Sequence, residues 1–210
     1  MKIDCLVLGA YETNCYVLRG GEQTQDCLIV DPGLGAGRLT GFLKQTRLNP
    51  VAVVLTHGHI DHIAGVAALR MNYPRVKVHI HRLDAGMLAE PTANLSAMTG
   101  GSFKAAPADV ILEDGGIVEQ AEVTLDVLHT PGHTPGGICL YAAAERIVFT
   151  DDALFADSIG RTDFPGGSTR QLLKSVREKL FTLPDETIVY PGHGPASTIG
   201  REKEQNPFFR

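Results

Sequence analysis

An apolar, strand-like run, VAVVLT at residues 51–56, leads directly into HGHIDHIAG at residues 57–65. In extended backbone, alternate residues project to the same side, and a residue at a helix start turns toward them. Imidazole nitrogens and carboxylate oxygens suit zinc, iron or manganese. The run therefore predicts a β-strand whose end carries a metal site. A solvated polar turn is the alternative, and the density of histidines argues against it. The candidate ligands are His57, His59, Asp61 and His62.

Two later histidines lie in similar surroundings. The stretches HTPGHTPGG (residues 129–137) and YPGHGP (residues 190–195) each follow a strand-like run, and each places Pro-Gly directly before a histidine. Because Pro-Gly fixes a turn, His133 and His193 are predicted to be metal ligands at strand ends. His129 ends its own strand and is predicted to pack inward or to support a ligand, with direct metal binding as the alternative.

Two adjacent acids end another strand-like run, FTDDALF at residues 149–155. Carboxylates buried side by side repel each other unless a cation neutralises them. Asp151 and Asp152 therefore also point to a metal, with a solvated Asp-Asp turn as the alternative.

The order of the predicted elements indicates an α/β chain with one domain over residues 1–210. Three strands form an antiparallel meander, and helices close a run of strands twice along the chain. Neither half of the chain can cover both faces of its sheet, so we expect a four-layer αββα sandwich. Residues 90–108 predict a mobile lid beside the site or an ordinary surface loop. The predicted strands are residues 3–8, 14–19, 27–31, 51–56, 77–80, 110–112, 123–129, 138–141, 146–150 and 187–192, and the helices are residues 37–48, 63–73 and 169–180.

Charge and composition argue against several classes of partner. The net charge is −5 and the lysines and arginines are dispersed, which leaves no basic stripe for nucleic acid. No apolar run reaches the ~20 residues of a membrane-spanning helix, and no export signal is recognisable. The four cysteines have no C-x-x-C spacing, which favours reduced thiols in a cytoplasmic protein. A small molecule is the expected partner.

The chain resembles the metallo-β-lactamase superfamily and, within it, the small glyoxalase II-like hydrolases. The resemblance extends over nearly the whole chain, and it implies the αββα fold and one or two metal ions, zinc first, with iron or manganese as alternatives. The motifs that carry it are TNCYVL, IVDPG, THGHIDH, HTPGHTPG, FTDDALF, GRTDFPGGS, PGHGP and NPFFR.

The resemblance also implies roles for single residues. Asp61 would orient the attacking water as well as bind metal. Asp151 stands where the family has glycine, so its carboxylate either alters the choice of metal or points to solvent. The implied ligands are His57, His59 and His133 for the first ion, Asp61, His62 and His193 for the second, and Asp152 for both.

The activity that the resemblance implies is hydrolysis of a thioester, of the S-lactoylglutathione type, by a metal-bound hydroxide. Arg161, in GRTDF, would steer an anionic substrate, unless it pairs with Asp163. Glyoxalase II continues beyond its NPF motif into basic residues that hold glutathione, whereas this sequence ends at Arg210, so the thiol carrier stays open.

Three other functions remain as alternatives. A mononuclear iron persulfide dioxygenase would use His57, His133 and Asp152. A lactonase would use the same fold and ligands. A non-catalytic metal-binding module would hold metal without turnover.

Overall fold

A computed structural model describes residues 1–210. Its regular elements are twelve strands and five α-helices, with the helices placed between runs of strands and at the end. A π-helical turn at Val176–Leu180 extends the fourth helix. No helix has the length and apolar character needed to cross a bilayer. The strands are β1 Lys2–Leu8, β2 Thr13–Arg19, β3 Asp26–Val30, β4 Asn49–Leu55, β5 Lys77–His81, β6 Val110–Leu112, β7 Ile117–Gln120, β8 Val123–His129, β9 Ile138–Ala142, β10 Ile147–Asp151, β11 Ile188–Pro191 and β12 Ser197–Thr198, and the helices are α1 Ala36–Thr46, α2 Ile60–Ile63, α3 Val66–Asn72, α4 Thr169–Ser175 and α5 Ile199–Gln205.

The strands form two mixed sheets. The first has the order β1-β2-β3-β4-β5-β6, with the predicted antiparallel meander over β1–β3 and parallel pairing from β3 to β6. The second has the order β12-β11-β10-β9-β8-β7, and its β10–β11 pair is parallel. The chain divides into two compact units, Met1–Leu112 with Val118–Thr124, and Glu113–Ile117 with Leu125–Arg210. The predicted α/β class is confirmed, and the single domain stays a prediction.

The core of the first unit forms where α1 and α3 cover one face of the first sheet. Alternate residues of β4, Val53 and Leu55, are fully buried there. Leu39 and Leu43 of α1 and Leu69 of α3 belong to the same cluster. Burying each such side chain contributes about 1.5–3 kcal/mol, so this face holds β4 firmly in the sheet.

The core of the second unit has the same construction. Val148 and Val189, on neighbouring strands, pack in one cluster with Leu172 of α4 and Ile199 of α5. Side-chain hydroxyl groups cap both helices, and the Ser168 hydroxyl accepts a hydrogen bond from Gln171 N. The helices therefore begin at defined residues and cover one face of β10 and β11.

The predicted helix over residues 63–73 is wrong at its start and in its continuity. The chain becomes helical at Ile60 and breaks at Gly65, between α2 and α3. Gly65 N donates a hydrogen bond to Pro32 O, and a Cβ at Gly65 would lie 2.0 Å from that oxygen. Only glycine permits this approach, so a tertiary contact breaks the helix. Asp61 consequently lies in a helical turn and not in extended backbone.

Residues 90–108 are largely irregular, with one 3-10 turn at Ser96–Thr99. The segment is tied down at its end, where the Arg70 guanidinium donates to Ala106 O at 2.9 Å and to Pro107 O at 2.8 Å. Movement of this segment as a lid stays a prediction.

A buried polar network fastens α5, a helix that the sequence did not reveal. The Glu202 carboxylate is fully buried and accepts hydrogen bonds from Asp157 N and from the Asn206 amide, both at 2.9 Å. The Asn206 amide also donates to Ser158 O at 3.0 Å. The network thus joins the C-terminal helix to the turn that follows β10.

Replacing Asn206 with alanine removes these donors and leaves buried acceptors unsatisfied. We expect Asn206→Ala to lower the free energy of unfolding by about 1–3 kcal/mol. Urea unfolding measures the change. Asn72→Ala is the matched control, because the Asn72 amide donates to Ala68 O on an exposed helix surface. Equal losses in the two variants would contradict a fastening role for Asn206.

The Asp109 carboxyl group should make the free energy of unfolding depend on pH in the acid range. A hydrogen bond from Val78 N and another from Arg70 lower the pKa of this carboxyl from 3.8 to about 2. Because the pKa is lower in the folded chain, the stabilisation is present above pH 4 and is lost as the pH falls toward 2. In urea unfolding from pH 6 to pH 2, Asp109→Asn should therefore flatten the acid limb, and an unchanged slope would show that Asp109 does not contribute.

Candidate metal centre

The histidines behind β4 come together as predicted. His57 and His62 are fully buried, and their ring centroids lie 4.2 Å apart. His57 Nε2 lies 3.0 Å from His59 Nδ1. Three imidazoles therefore converge at the end of β4, at the carboxyl end of parallel strands where α/β proteins place their sites.

Asp31 fixes the orientation of His62. The Asp31 carboxylate accepts hydrogen bonds from Thr56 N at 2.9 Å and from the Thr56 hydroxyl at 2.6 Å. His62 Nδ1 lies 3.1 Å from Asp31 Oδ2, and an ionised carboxylate only accepts, so Nδ1 carries the proton. His62 Nε2 then faces Asp61 Oδ2 at 3.3 Å. The sequence did not reveal this role of Asp31, although Asp31 lies in the IVDPG motif.

Asp152 organises a second cluster, in the second unit. His133 Nε2 lies 3.5 Å from Asp152 Oδ2, and His193 Nε2 lies 3.6 Å from Asp152 Oδ1. His133 Nδ1 lies 2.7 Å from the carbonyl oxygen of Arg161. A carbonyl oxygen only accepts, so His133 Nδ1 carries the proton and Nε2 points at the carboxylate.

These contacts test whether the residues fit a metal ion. In a neutral imidazole with its proton on Nδ1, Nε2 carries a lone pair, and for His62 and His133 that lone pair faces a carboxylate oxygen. Two acceptors in contact repel, and either a metal ion between them or a second proton on the imidazole removes the repulsion. Metal-binding histidines typically donate their other ring N–H to a carboxylate or a carbonyl oxygen, as both do here. The donor sets therefore fit a divalent cation.

The alternative that the Asp151 carboxylate points to solvent is wrong. Only 6% of the residue is exposed. Its φ of 49° lies in the left-handed region that favours glycine, which explains why glycine suits this position in the family pattern. Its carbonyl oxygen accepts a hydrogen bond from Gly192 N at 3.1 Å, directly before His193.

Arg161 pairs with Asp163, as the alternative from the sequence proposed. Their side chains form two hydrogen bonds of 2.8 and 3.0 Å, which raise the pKa of Arg161 and lower that of Asp163. The guanidinium also lies 4.3 Å from the Phe164 ring centroid. Both charged groups are exposed. The residue contacts His133 through its backbone, and a substrate role of its side chain stays a prediction.

The other histidines have structural surroundings. His129 Nε2 lies 3.0 Å from Pro135 O. His79 and His81 are buried in β5, and burial lowers the pKa of His79.

The cysteines are poorly suited to bind metal. Burial raises the pKa of Cys27 and of Cys139 to about 12 and raises that of Cys15 strongly. Thiolate is the form that binds metal, so these side chains remain protonated packing groups.

The profile of the Metallo-beta-lactamase superfamily matches residues 8–193. The chain belongs to this superfamily. Its two mixed sheets and flanking helices match the α/β sandwich fold of these proteins, so the predicted fold class is confirmed. The resemblance seen in the motifs is confirmed as well, and the protein is a metal-dependent hydrolase of the metallo-β-lactamase superfamily.

Two relatives are similar to this chain over its full length. The probable metallo-hydrolase YqgX of Bacillus subtilis is 38% identical, with 100% of this chain and 98% of the relative covered. The hydroxyacylglutathione hydrolase GloC of Haemophilus influenzae is 34% identical, with 100% and 98% covered.

Three solved structures are similar to this chain over nearly its full length. The BLEG-1 B3 metallo-beta-lactamase has a TM-score of 0.94 and 40% identity, with 99% of each chain covered. TTHA1623 in a di-iron-bound form has a TM-score of 0.85 and 36% identity, with 98% and 99% covered. ETHE1 from Myxococcus xanthus has a TM-score of 0.81 and 32% identity, with 99% and 84% covered.

The two adjacent aspartates should differ in their effect on bound metal. We expect Asp152→Ala to lower the metal content of the purified protein strongly, because Asp152 faces both His133 and His193. Asp151→Gly should leave the metal content near that of the wild type, because glycine adopts the left-handed backbone without strain. Elemental analysis of both variants measures the difference. The reverse order would identify Asp151 as the ligand.

Proposed function

We propose that the protein hydrolyses a thioester of the S-lactoylglutathione type at a metal centre. One observation carries the proposal. In both clusters a histidine Nε2 faces a carboxylate oxygen, an arrangement that a bound cation would stabilise. The full-length similarity to the Haemophilus influenzae protein named hydroxyacylglutathione hydrolase supports the substrate class. Cytoplasmic location and zinc as the native metal belong to the same proposal.

The proposed ligands divide by ion as the family resemblance implies. Zinc held by these residues would supply a bound water of pKa about 7 and would polarise the carbonyl group of the substrate. The ligands are His57, His59 and His133 for one ion, Asp61, His62 and His193 for the other, and Asp152 for both.

The protein side chains contribute orientation and proton handling. Asp61 retains 20% side-chain exposure beside fully buried His62, so its carboxylate can accept a hydrogen bond from the attacking water. Asp31 holds the His62 proton on Nδ1 and so keeps Nε2 directed at the site. The departing thiolate, whose parent thiol has a pKa of ~8.5, needs little assistance from a protein acid.

Asp61 gives the sharpest test of this proposal. With S-lactoylglutathione and the zinc-loaded protein, we expect Asp61→Asn to lower kcat by about 10²-fold or more, as for loss of a general base, with most of the metal retained. His133→Ala should lose metal and activity together. Thiol release and elemental analysis measure both effects. Asp185→Asn is the matched control, because this exposed carboxylate pairs only on the surface with Lys203. Full activity of Asp61→Asn would contradict the role of Asp61.

A mononuclear iron persulfide dioxygenase is the second candidate, and the similarity to ETHE1 from Myxococcus xanthus over 99% of this chain supports it. In this reading His57, His133 and Asp152 bind the iron. Oxygen uptake with a persulfide, without thiol release from a thioester, would select this candidate. Hydrolysis of a cephalosporin alone would select a β-lactam substrate, the activity named for the BLEG-1 protein.

A further inference from the structure

The segment that follows β5 packs against the loop that carries the first histidines. We call residues 84–94 the bracing segment and residues 57–61 the ligand loop. Gly58 N, in the ligand loop, donates a hydrogen bond of 3.1 Å to Asp84 Oδ2, and Asp84 is fully buried. A hydrogen bond from a backbone amide to a carboxylate is stronger than one between neutral groups. This contact therefore holds the peptide between His57 and His59 firmly.

The bracing segment holds the ligand loop at a second peptide. Ile60 N donates a hydrogen bond of 2.9 Å to Asn94 O. Asn94 is itself immobilised, since its fully buried amide donates to Met87 O at 2.9 Å and to Phe103 O at 3.1 Å and accepts from Ser96 N at 3.0 Å. The carbonyl group that receives Ile60 N is therefore fixed by three side-chain contacts.

Close packing leaves the ligand loop little room to shift. A Cβ at Gly58 would lie 2.6 Å from Met87 Cβ and 2.8 Å from Met87 Sδ. The loop backbone therefore lies directly against the bracing segment, and glycine is the residue that fits there. Hydrogen bonds on both sides of His59 and close packing at Gly58 together restrain the three side chains of the loop.

We propose that the bracing segment preorganises the ligand loop, with Asp84 and Asn94 as positioning residues. They fix the peptide groups that alternate with His57, His59 and Asp61, so these side chains meet a metal ion without reordering the loop. Contacts of this kind raise metal affinity because the cost of ordering the ligands is met during folding. The inference rests on the proposed function, since it takes the three side chains as ligands.

Metal affinity of the full chain tests the inference without an activity assay. We expect Asp84→Ala to weaken zinc binding by about 10-fold, the lower end of the range for partners of metal ligands, because Asp84 bonds a neighbouring peptide and not a ligand side chain. Competition with a chromophoric chelator measures it. Hydrogen exchange of the Gly58 amide in the metal-free protein should become faster. Asp84→Asn keeps an oxygen acceptor of the same reach and should restore most of the affinity.

Asp109→Ala is the matched control. Asp109 Oδ2 also accepts a backbone hydrogen bond within the first unit, from Val78 N at 2.9 Å, but it does so outside the ligand loop. This variant should lose stability and keep zinc affinity. Should Asp84→Ala fail to fold, Gly58→Ala takes its place, because the added methyl group displaces Met87 and should weaken zinc binding too.

A further variant, His57→Ala, separates failure of this inference from failure of the proposed metal site. If His57→Ala loses zinc and Asp84→Ala binds it as tightly as the wild type does, the bracing role is wrong and the ligands stand. If His57→Ala keeps the zinc affinity of the wild type, the ligand assignment is wrong, and the bracing role, which depends on it, is wrong as well.

Discussion

The contact on which the site depends is a lone pair of an imidazole nitrogen directed at a carboxylate oxygen. Asp31 and the Arg161 carbonyl oxygen commit the Nδ1 protons of His62 and His133, so the other nitrogen of each ring faces an acid. Such an arrangement is unfavourable without a positive charge between the partners. A metal ion held between these partners would complete the electrostatics of both clusters.

The fold supports these clusters at the ends of strands. In the first unit, the buried face of β4 is held by α1 and α3, and the chain turns into α2 immediately after the first two histidines. In the second unit, Asp152 directly follows β10 and His193 follows β11, a parallel neighbour. Rigid strands thus set the positions of the candidate ligands, while hydrogen bonds from loops set their orientation.

Much of this was predictable because the relevant physics is local. The apolar runs of the strands and the density of histidines behind β4 both appear within short windows. The contacts that orient the rings do not, since Asp31 is 31 residues from His62 and Arg161 is 28 residues from His133. Helix α5 escaped prediction because one of its two buried residues is Glu202, whose burial depends on a tertiary network. The break at Gly65 likewise depends on Pro32.

Asp151 shows how a departure from a family pattern can be read in physical terms. The residue occupies a left-handed backbone position, and a short polar side chain tolerates that conformation better than most. Its burial places a second carboxyl group beside Asp152, and two ionised carboxylates side by side repel each other unless a cation lies near them.

The most direct measurement of the central claim is X-ray absorption at the metal edge of the purified protein. The account predicts a bound first-row metal ion with several imidazole nitrogens and carboxylate oxygens in its first coordination shell, and fewer imidazole nitrogens in His133→Ala. A protein that purifies and refolds without metal, or a metal surrounded by oxygen alone and unchanged in His133→Ala, would contradict it.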